Sequence, residues 1–354
     1  MLPLMPDAPS ANANPSECPF STWMEKGLYD PQKGYYARQI QGIGRRGDFT
    51  TSASLDGFLG EAIAQWVKTE RKLSPSVSTI IEIGGGDGSL AKSVLRALGW
   101  LGRRRFRFIM VERSSVLRTL QEKMLTGYGV RWYDHPTPAL KACGGEALIY
   151  HNELIDAFPV QLAQLNAATG QWQEVWVERA AGRFQETLHD LSLQGISSED
   201  FSALRQWNAA TPPPYANQRV ELGSAALRWF GEWAPQWKRG TMLTLDYGDA
   251  FPSLYYRRPA GTLRAYLLHQ VLSGAELYQN MGRQDLTCDV NFSDLQVWGE
   301  RFGWANQPLM TQAEFLQAYL KDYPRRMKAN KALAFLGDAE GAGGAFKALV
   351  QRIK

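Results

Sequence analysis

The chain has little of what metal, disulfide or membrane chemistry requires. Cys18, Cys143 and Cys288 are its only three cysteines, far apart and odd in number. They build neither a disulfide framework nor a zinc-ligand spacing, which points to a reducing compartment. His135, His151, His189 and His269 also lack metal-ligand spacing, so no metal is expected. No apolar run approaches the ~20 residues that cross a bilayer. The stretch from Met1 to Pro19 is rich in Pro, Ala, Asn and Ser and has neither an apolar core nor arginine. It reads as a disordered leader over residues 1–18, not a secretory or mitochondrial signal, and a cytoplasmic location is expected. An excess of one charge is missing too: 39 basic residues against 35 acidic ones leave +4. That is too slight to require nucleic acid, and Arg103-Arg104-Arg105 and Arg325-Arg326 read as solvated basic spots. What is present is an ordinary globular composition over 354 residues, enough for an α/β domain and about one more domain's worth of chain.

The informative stretch is Thr79-Ile80-Ile81-Glu82-Ile83-Gly84-Gly85-Gly86-Asp87-Gly88-Ser89-Leu90. Its apolar β-branched opening predicts a short buried strand. Four glycines among five residues then form a turn that side chains would obstruct. Leu90, Ala91, Val94, Leu95 and Leu98 continue at helical spacing. Strand, glycine turn and helix open a Rossmann-like mononucleotide site. The dinucleotide pattern would need a third glycine or alanine where Ser89 stands, which argues against NAD and toward S-adenosylmethionine.

Alternation continues after the turn. Arg107 to Glu112 reads as a second strand, with Glu112 24 positions beyond Gly88, where a cofactor ribose offers its hydroxyls. A helix follows with Val116, Leu117, Leu120 and Met124 on one face, then a third strand ending at Asp134, a candidate for the adenine amino group. Ala147 to Glu153 is a fourth strand. It runs into Asn152, Glu153 and Asp156, at the carboxyl edge where open α/β sheets bind ligands. Residues 161–179 read as a hairpin, 192–208 as a helix, 240–248 as a further strand and 249–289 as irregular. Helices are expected over 291–303 and 313–323, and 337–344 reads as a soft linker before a short final element. Ahead of the sheet, Phe20, Trp23, Met24 and Leu28 form one helical stripe and Phe58, Leu59, Ile63, Trp66 and Val67 another. The loop between them, with Tyr35-Tyr36 and Gly47-Asp48-Phe49, is placed to act as a lid.

Taken together, these residues resemble the MidA-like S-adenosylmethionine-dependent methyltransferases. That family includes the mitochondrial complex I assembly factor that methylates an arginine of a core subunit. The resemblance rests on Leu28-Tyr29-x-Pro31-x-x-Gly34-Tyr35-Tyr36, Gly47-Asp48-Phe49-x-Thr51, Phe58-x-Gly60-Glu61, Glu82-x-Gly84-x-Gly86-x-Gly88 and Val111-Glu112. It extends through Asn152-Glu153-x-x-Asp156-Ala157-x-Pro159, Asp246-Tyr247-Gly248, Gly261-Thr262-Leu263-Arg264 and Asp285-Leu286-Thr287. It implies an α/β class I methyltransferase fold, a mostly parallel seven-stranded sheet with helices on both faces, an N-terminal helical cap and an inserted α+β substrate subdomain. The expected divisions are a cap over residues 19–75, the cofactor-binding domain over 76–160 and 219–354 with substrate-side loops at 249–290, and the insertion over 161–218. The implied cofactor residues are Glu82, Gly84, Gly86, Asp87, Gly88, Glu112, Asp134 and Asn152. The implied catalytic residues are Glu153, Asp156 and Asn152, with Tyr36, Asp48, Phe49, Tyr247, His269 and Asp285 toward the acceptor; His151 is a further candidate for touching substrate. Where the family continues Asp-Leu-Thr with Ala-His and Val-Asp-Phe, this chain has Cys288-Asp289 and Val290-Asn291-Phe292, and the usual aromatics after Asn-Glu are Leu154-Ile155.

Three activities fit this reading: methylation of a protein arginine, of a small-molecule or other non-arginine acceptor, or non-catalytic assembly by a protein that binds S-adenosylmethionine. Arginine is the leading acceptor. Its guanidinium is protonated, with a pKa above about 12, so attack requires carboxylates that orient the fork and help remove a proton. Glu153 and Asp156 would supply them. The expected partners are a protein substrate, such as a respiratory-complex subunit, or a small acceptor, with no nucleic acid and no membrane span; a homodimer is left open.

Overall fold

The computed structural model describes residues 17–38, 57–207, 214–268 and 270–353. Its principal sheet is built on seven strands: Thr79–Ile83 (β1), Arg107–Val111 (β2), Arg131–Tyr133 (β3), Leu148–Asn152 (β4), Thr241–Asp249 (β5), Trp304–Asn306 (β6) and Phe346–Ile353 (β7). They lie in the order β3-β2-β1-β4-β5-β7-β6. The five from β3 to β5 are parallel, while β7 runs antiparallel to β5 and β6 antiparallel to β7. Val290–Asn291 adds to β5 and Met310–Thr311 to β7.

Every residue of β1 is buried, as a parallel strand covered on both faces must be. Ile80 faces a core with Ile63, Trp66, Val94 and Leu98 from two helices, Phe58–Leu73 and Ser89–Arg105. Ile81 and Ile83 face the other core, with Phe230, Trp233, Trp298 and Trp304. The chain leaves β1 for β2 and β3 on one side and returns to β4 on the other. This opens a crevice at the carboxyl ends of β1 and β4.

A second, antiparallel sheet contains Gln161–Leu165, Trp172–Ala180, Arg183–Asp190, Arg219–Leu222 and the short Glu17–Pro19. Phe20, Trp23, Met24 and Leu28 of helix Phe20–Tyr29 pack on it against Leu162, Val175 and Val177. The two helices read as one N-terminal cap therefore part company: the first covers the second sheet, and Phe58–Leu73 joins the helical layer of the first. Each stripe was visible in the sequence, but the partner of each is set by long-range packing.

Other expectations change for local reasons. Residues 192–208 do not form one helix. Gln194 and Gly195 take φ of 47° and 81°, Ser197 caps a single turn at Ser198–Asp200, and helix is confined to Ser202–Trp207. The irregular 249–289 stretch contains a third sheet, with Arg264–Leu267 between Gln270–Leu272 and Asp285–Thr287. The last strand is an internal strand of the main sheet, which the Gly/Ala run before it concealed.

Candidate active site

The turn after β1 has the backbone its glycines suggested. Gly84, Gly86 and Gly88 have φ of 68°, 52° and 86°, all in the left-handed region that side-chain-bearing residues avoid. Asp87 Oδ1 accepts the Ser89 N–H at 2.9 Å and so opens the following helix. Beneath the turn, Glu82 is buried and Tyr150 donates its hydroxyl to Oε2 at 3.0 Å. Burial pushes the Glu82 carboxyl up to about 8; the Tyr150 hydrogen bond opposes the shift, and nearby Asp87 and Glu112 add to it.

This buried acid has a consequence for stability. The folded chain holds on Glu82 a proton that the unfolded chain releases near 4.5. The native state thus binds the extra proton, and stability falls as pH rises from about 4.5 to about 8, by up to ~1.4 kcal/mol per unit. Glu82→Gln is expected to flatten the pH dependence of the thermal midpoint by one proton across that range. An unchanged slope in calorimetric melts would refute the assignment.

Glu112 follows β2 and is buried. Its Oε1 accepts from the Ser114 N–H at 2.7 Å, and its Oε2 from Gln121 Nε2 at 3.1 Å. Burial raises its pKa, with these donors opposing. Gln121 also donates to the Gly86 carbonyl at 2.8 Å and accepts from the Trp132 indole at 3.0 Å, tying the glycine turn to the acid. Sequence reasoning missed this residue. Helix Ser115–Met124 turns Leu117 and Gln121 inward and leaves Val116 exposed, so the inner face is rotated from the one expected. Asp134 is exposed, just past the end of β3.

The second group of residues begins where β4 ends. Asn152 Nδ2 donates to Glu153 Oε1 at 3.0 Å, and Glu153 has a left-handed backbone, with φ 50°. A non-glycine residue held there is a strained position of the kind that gathers at functional sites. The following turn, Ile155–Ala157, is held by Asp246 of β5. Its Oδ2 accepts from the N–H groups of Leu154, Ile155 and Asp156 at 3.2, 3.0 and 3.4 Å, and its Oδ1 from Tyr247 N–H at 3.0 Å. Asp246 is fully buried, and burial with Asp156 and Glu153 nearby pushes its carboxyl up against those donors. It was quoted above only as part of a motif. An acid breaking the apolar run of β5 was the available signal.

Asp156 Oδ2 accepts from the Thr287 hydroxyl at 2.9 Å and from the Tyr247 hydroxyl. Its Oδ1, buried, has no hydrogen-bond partner among the described residues, and neither has Asn152 Oδ1. Asp285 accepts from the Tyr36 hydroxyl at 3.1 Å, and burial together with Asp156 raises it. Tyr36 stacks on Tyr29 with ring centroids 5.3 Å apart, and Tyr29 donates to the Ala157 carbonyl at 2.8 Å. Tyr29 and Tyr36, the acids after β4 and the third sheet thus meet at one place. Arg264 lies over the Tyr247 ring at 4.8 Å and is held by Asp289 at 2.6 Å; Asp289 also pairs with Arg258. The departure at Asp289 therefore braces Arg264, which braces the tyrosine on Asp156.

The acid-bearing turn abuts the glycine turn: a Cβ on Gly84 would lie 2.7 Å from Leu154 Cδ1. His151, in contrast, is fully buried beside Thr244 and Phe230, and burial takes its pKa down to about 3. It does not face the crevice, which corrects the suggestion that it touches substrate. Asp48, Phe49 and His269 lie outside the described residues. Among the described residues no group of three His, Cys, Asp or Glu side chains could hold a metal.

A parallel sheet with a glycine cradle at its switch point and acids at the adjacent strand end defines a nucleotide-binding α/β protein. Residues 59–309 match a family described as "Putative S-adenosyl-L-methionine-dependent methyltransferase". A Burkholderia thailandensis superfamily member solved with S-adenosyl-homocysteine is 26% identical, with a TM-score of 0.79, covering 95% of this chain and 88% of its own. The mitochondrial protein arginine methyltransferase NDUFAF7 homolog of Drosophila melanogaster is 28% identical over 77% of this chain and 64% of its own length. The Bos taurus NDUFAF7 is 32% identical over the same shares. The chain thus spans just under two thirds of these two relatives. It belongs to this family of S-adenosylmethionine-dependent methyltransferases. The cytoplasmic location expected above is overturned by these relatives, both named mitochondrial. Unpaired thiols report a reducing medium, not which compartment provides it.

The orphaned acceptor on Asn152 and the glycine cradle at Gly84–Gly88, with three left-handed glycines, fit an S-adenosylmethionine site, whose product form is S-adenosyl-homocysteine.

Proposed function

We propose that this chain methylates an arginine side chain of a protein substrate, with Glu153 and Asp156 orienting the guanidinium. The observation that carries the reading is the unpartnered Asp156 Oδ1, buried beside two further carboxyls, Asp246 and Asp285. Buried like charges crowd one another, and a planar cation with several N–H donors relieves them. The naming of the fly and cow relatives as protein arginine methyltransferases supports the same acceptor.

Gly84, Gly86 and Gly88 would let the backbone approach the cofactor. Glu112 would accept from its ribose: each of that carboxylate's oxygens already has one donor and has room for another. When bound, S-adenosylmethionine supplies an activated methyl group. The chain's own contribution is then alignment, which in the best intramolecular cases is worth ~7–11 kcal/mol, and proton removal. Glu153 and Asp156 hold the guanidinium fork, and the nitrogen that gains the methyl gives its proton to one of these carboxylates. Burial raises the Asp156 carboxyl, which favours proton uptake there. In this reading the seven-strand path is the class I methyltransferase arrangement, the second and third sheets form the acceptor side, and a respiratory-complex subunit is a candidate substrate.

The test is transfer of labelled methyl from S-adenosylmethionine into a cell lysate by the full chain, followed by hydrolysis of the protein fraction. Label in methylated arginine is expected. Label in small molecules only would replace the arginine reading with the metabolite one. Cofactor binding without transfer would leave a non-catalytic assembly role.

A further inference from the structure

The opposite edge of the main sheet carries a feature that methyl transfer does not use. Helix Ser89–Arg105 has buried positions at Leu90, Val94 and Leu98, so a straight continuation would bring Leu101 onto the same inner face. It does not, because Gly99 leaves the helix with φ 71° and ψ 179°. Beyond this kink Trp100 and Leu101 stand in solvent, 57% and 62% exposed. Beside them Phe58–Leu73 ends in Arg71, Lys72 and Leu73, the last 61% exposed, and Arg71 lies 5.7 Å from the Phe106 ring. Arg103, Arg104, Arg105 and Arg107 are exposed on the same edge. Their charges meet aromatic faces: Arg104 lies 3.9 Å from the Trp100 ring and Arg103 5.1 Å from the Tyr128 ring.

Cations at the two helix C-termini compensate the helix dipoles, and one or two suffice for that. Dipole compensation does not explain why a tryptophan and two leucines project among them. Exposed indole and leucine interleaved with arginines is the chemistry of a surface that inserts shallowly between anionic headgroups. We propose that this edge docks the protein peripherally on an anionic lipid bilayer. The apolar side chains enter the headgroup–acyl boundary and the arginines pair with lipid phosphates. Among the described residues no helix is long and apolar enough to cross a membrane. The crevice lies at the carboxyl ends of the strands, at the far end of these helices, and stays open to its acceptor.

The test is sedimentation of the full chain with vesicles of phosphatidylcholine alone and with about one third phosphatidylglycerol. Partitioning at least about tenfold stronger onto the anionic vesicles is expected, weakening as salt rises. Trp100→Ser with Leu101→Ser should reduce it to the neutral-vesicle level. Both side chains are exposed, so the melting temperature and methyl transfer to a soluble acceptor should be unchanged; this keeps the test separate from the arginine reading. Equal partitioning on both vesicle types would overturn the proposal, as would wild-type binding by the double variant. An RNA or DNA oligonucleotide that binds this edge while the vesicles do not would assign it to another polyanion and overturn it equally.

Discussion

Glu153→Gln is expected to lower turnover by about two to four orders of magnitude, the range for loss of a positioned acid–base group, while S-adenosylmethionine affinity stays within a few fold. The amide keeps the shape of the side chain, and Glu and Gln tolerate the 50° φ equally, so the strand end should keep its fold. The variant loses one of the two carboxylates that hold the guanidinium and are placed to take its proton. Neither is needed to bind a donor over the glycine turn. Initial rates with labelled methyl, set beside calorimetric titration of S-adenosylmethionine, separate the two. If rate and affinity fall together, Glu153 supports the fold of the β4 end and the mechanism above loses one of its two carboxylates.

The contrast between Glu153 and its neighbours shows what was legible in the sequence. Glu153 and Asp156 could be named because a strand running into acids marks the carboxyl edge of a parallel sheet, and the glycines because only they take up three left-handed positions so closely spaced. His151 was misread. Successive strand residues face opposite ways, and the direction that puts Asn152 toward the crevice buries His151 beside Thr244. Asp246 needed knowledge that β5 lies beside β4, which the sequence, with about ninety residues between them, does not give. Gln121 needed the rotation of a helix that four apolar residues left ambiguous. The pairing of Asp289 with Arg258 and Arg264 needed the third sheet, hidden in a stretch without visible period.

Gly84→Val should have a different signature from Glu153→Gln, with cofactor affinity and turnover falling together. At φ 68° a β-branched residue is an outlier, and left-handed backbone costs an ordinary residue ~1–2 kcal/mol. The new Cβ would also stand 2.7 Å from Leu154 Cδ1. That side chain can rotate away, but Leu154 sits between Glu153 and the turn that carries Asp156, so its displacement reaches the acids. Strain of this size predicts S-adenosylmethionine affinity about five- to thirtyfold weaker, with a further loss in turnover at saturating cofactor. Gly85→Ala is the comparison. Gly85 has no positive φ; its added Cβ meets the flexible end of Met110 and lies 3.1 Å from the Glu82 carboxyl carbon, so without backbone strain it should bind more nearly like the parent chain. Were Gly84→Val to bind the cofactor normally, the cradle assigned to the turn would lie elsewhere in the crevice, and the acids beside it would have to be reconsidered with it.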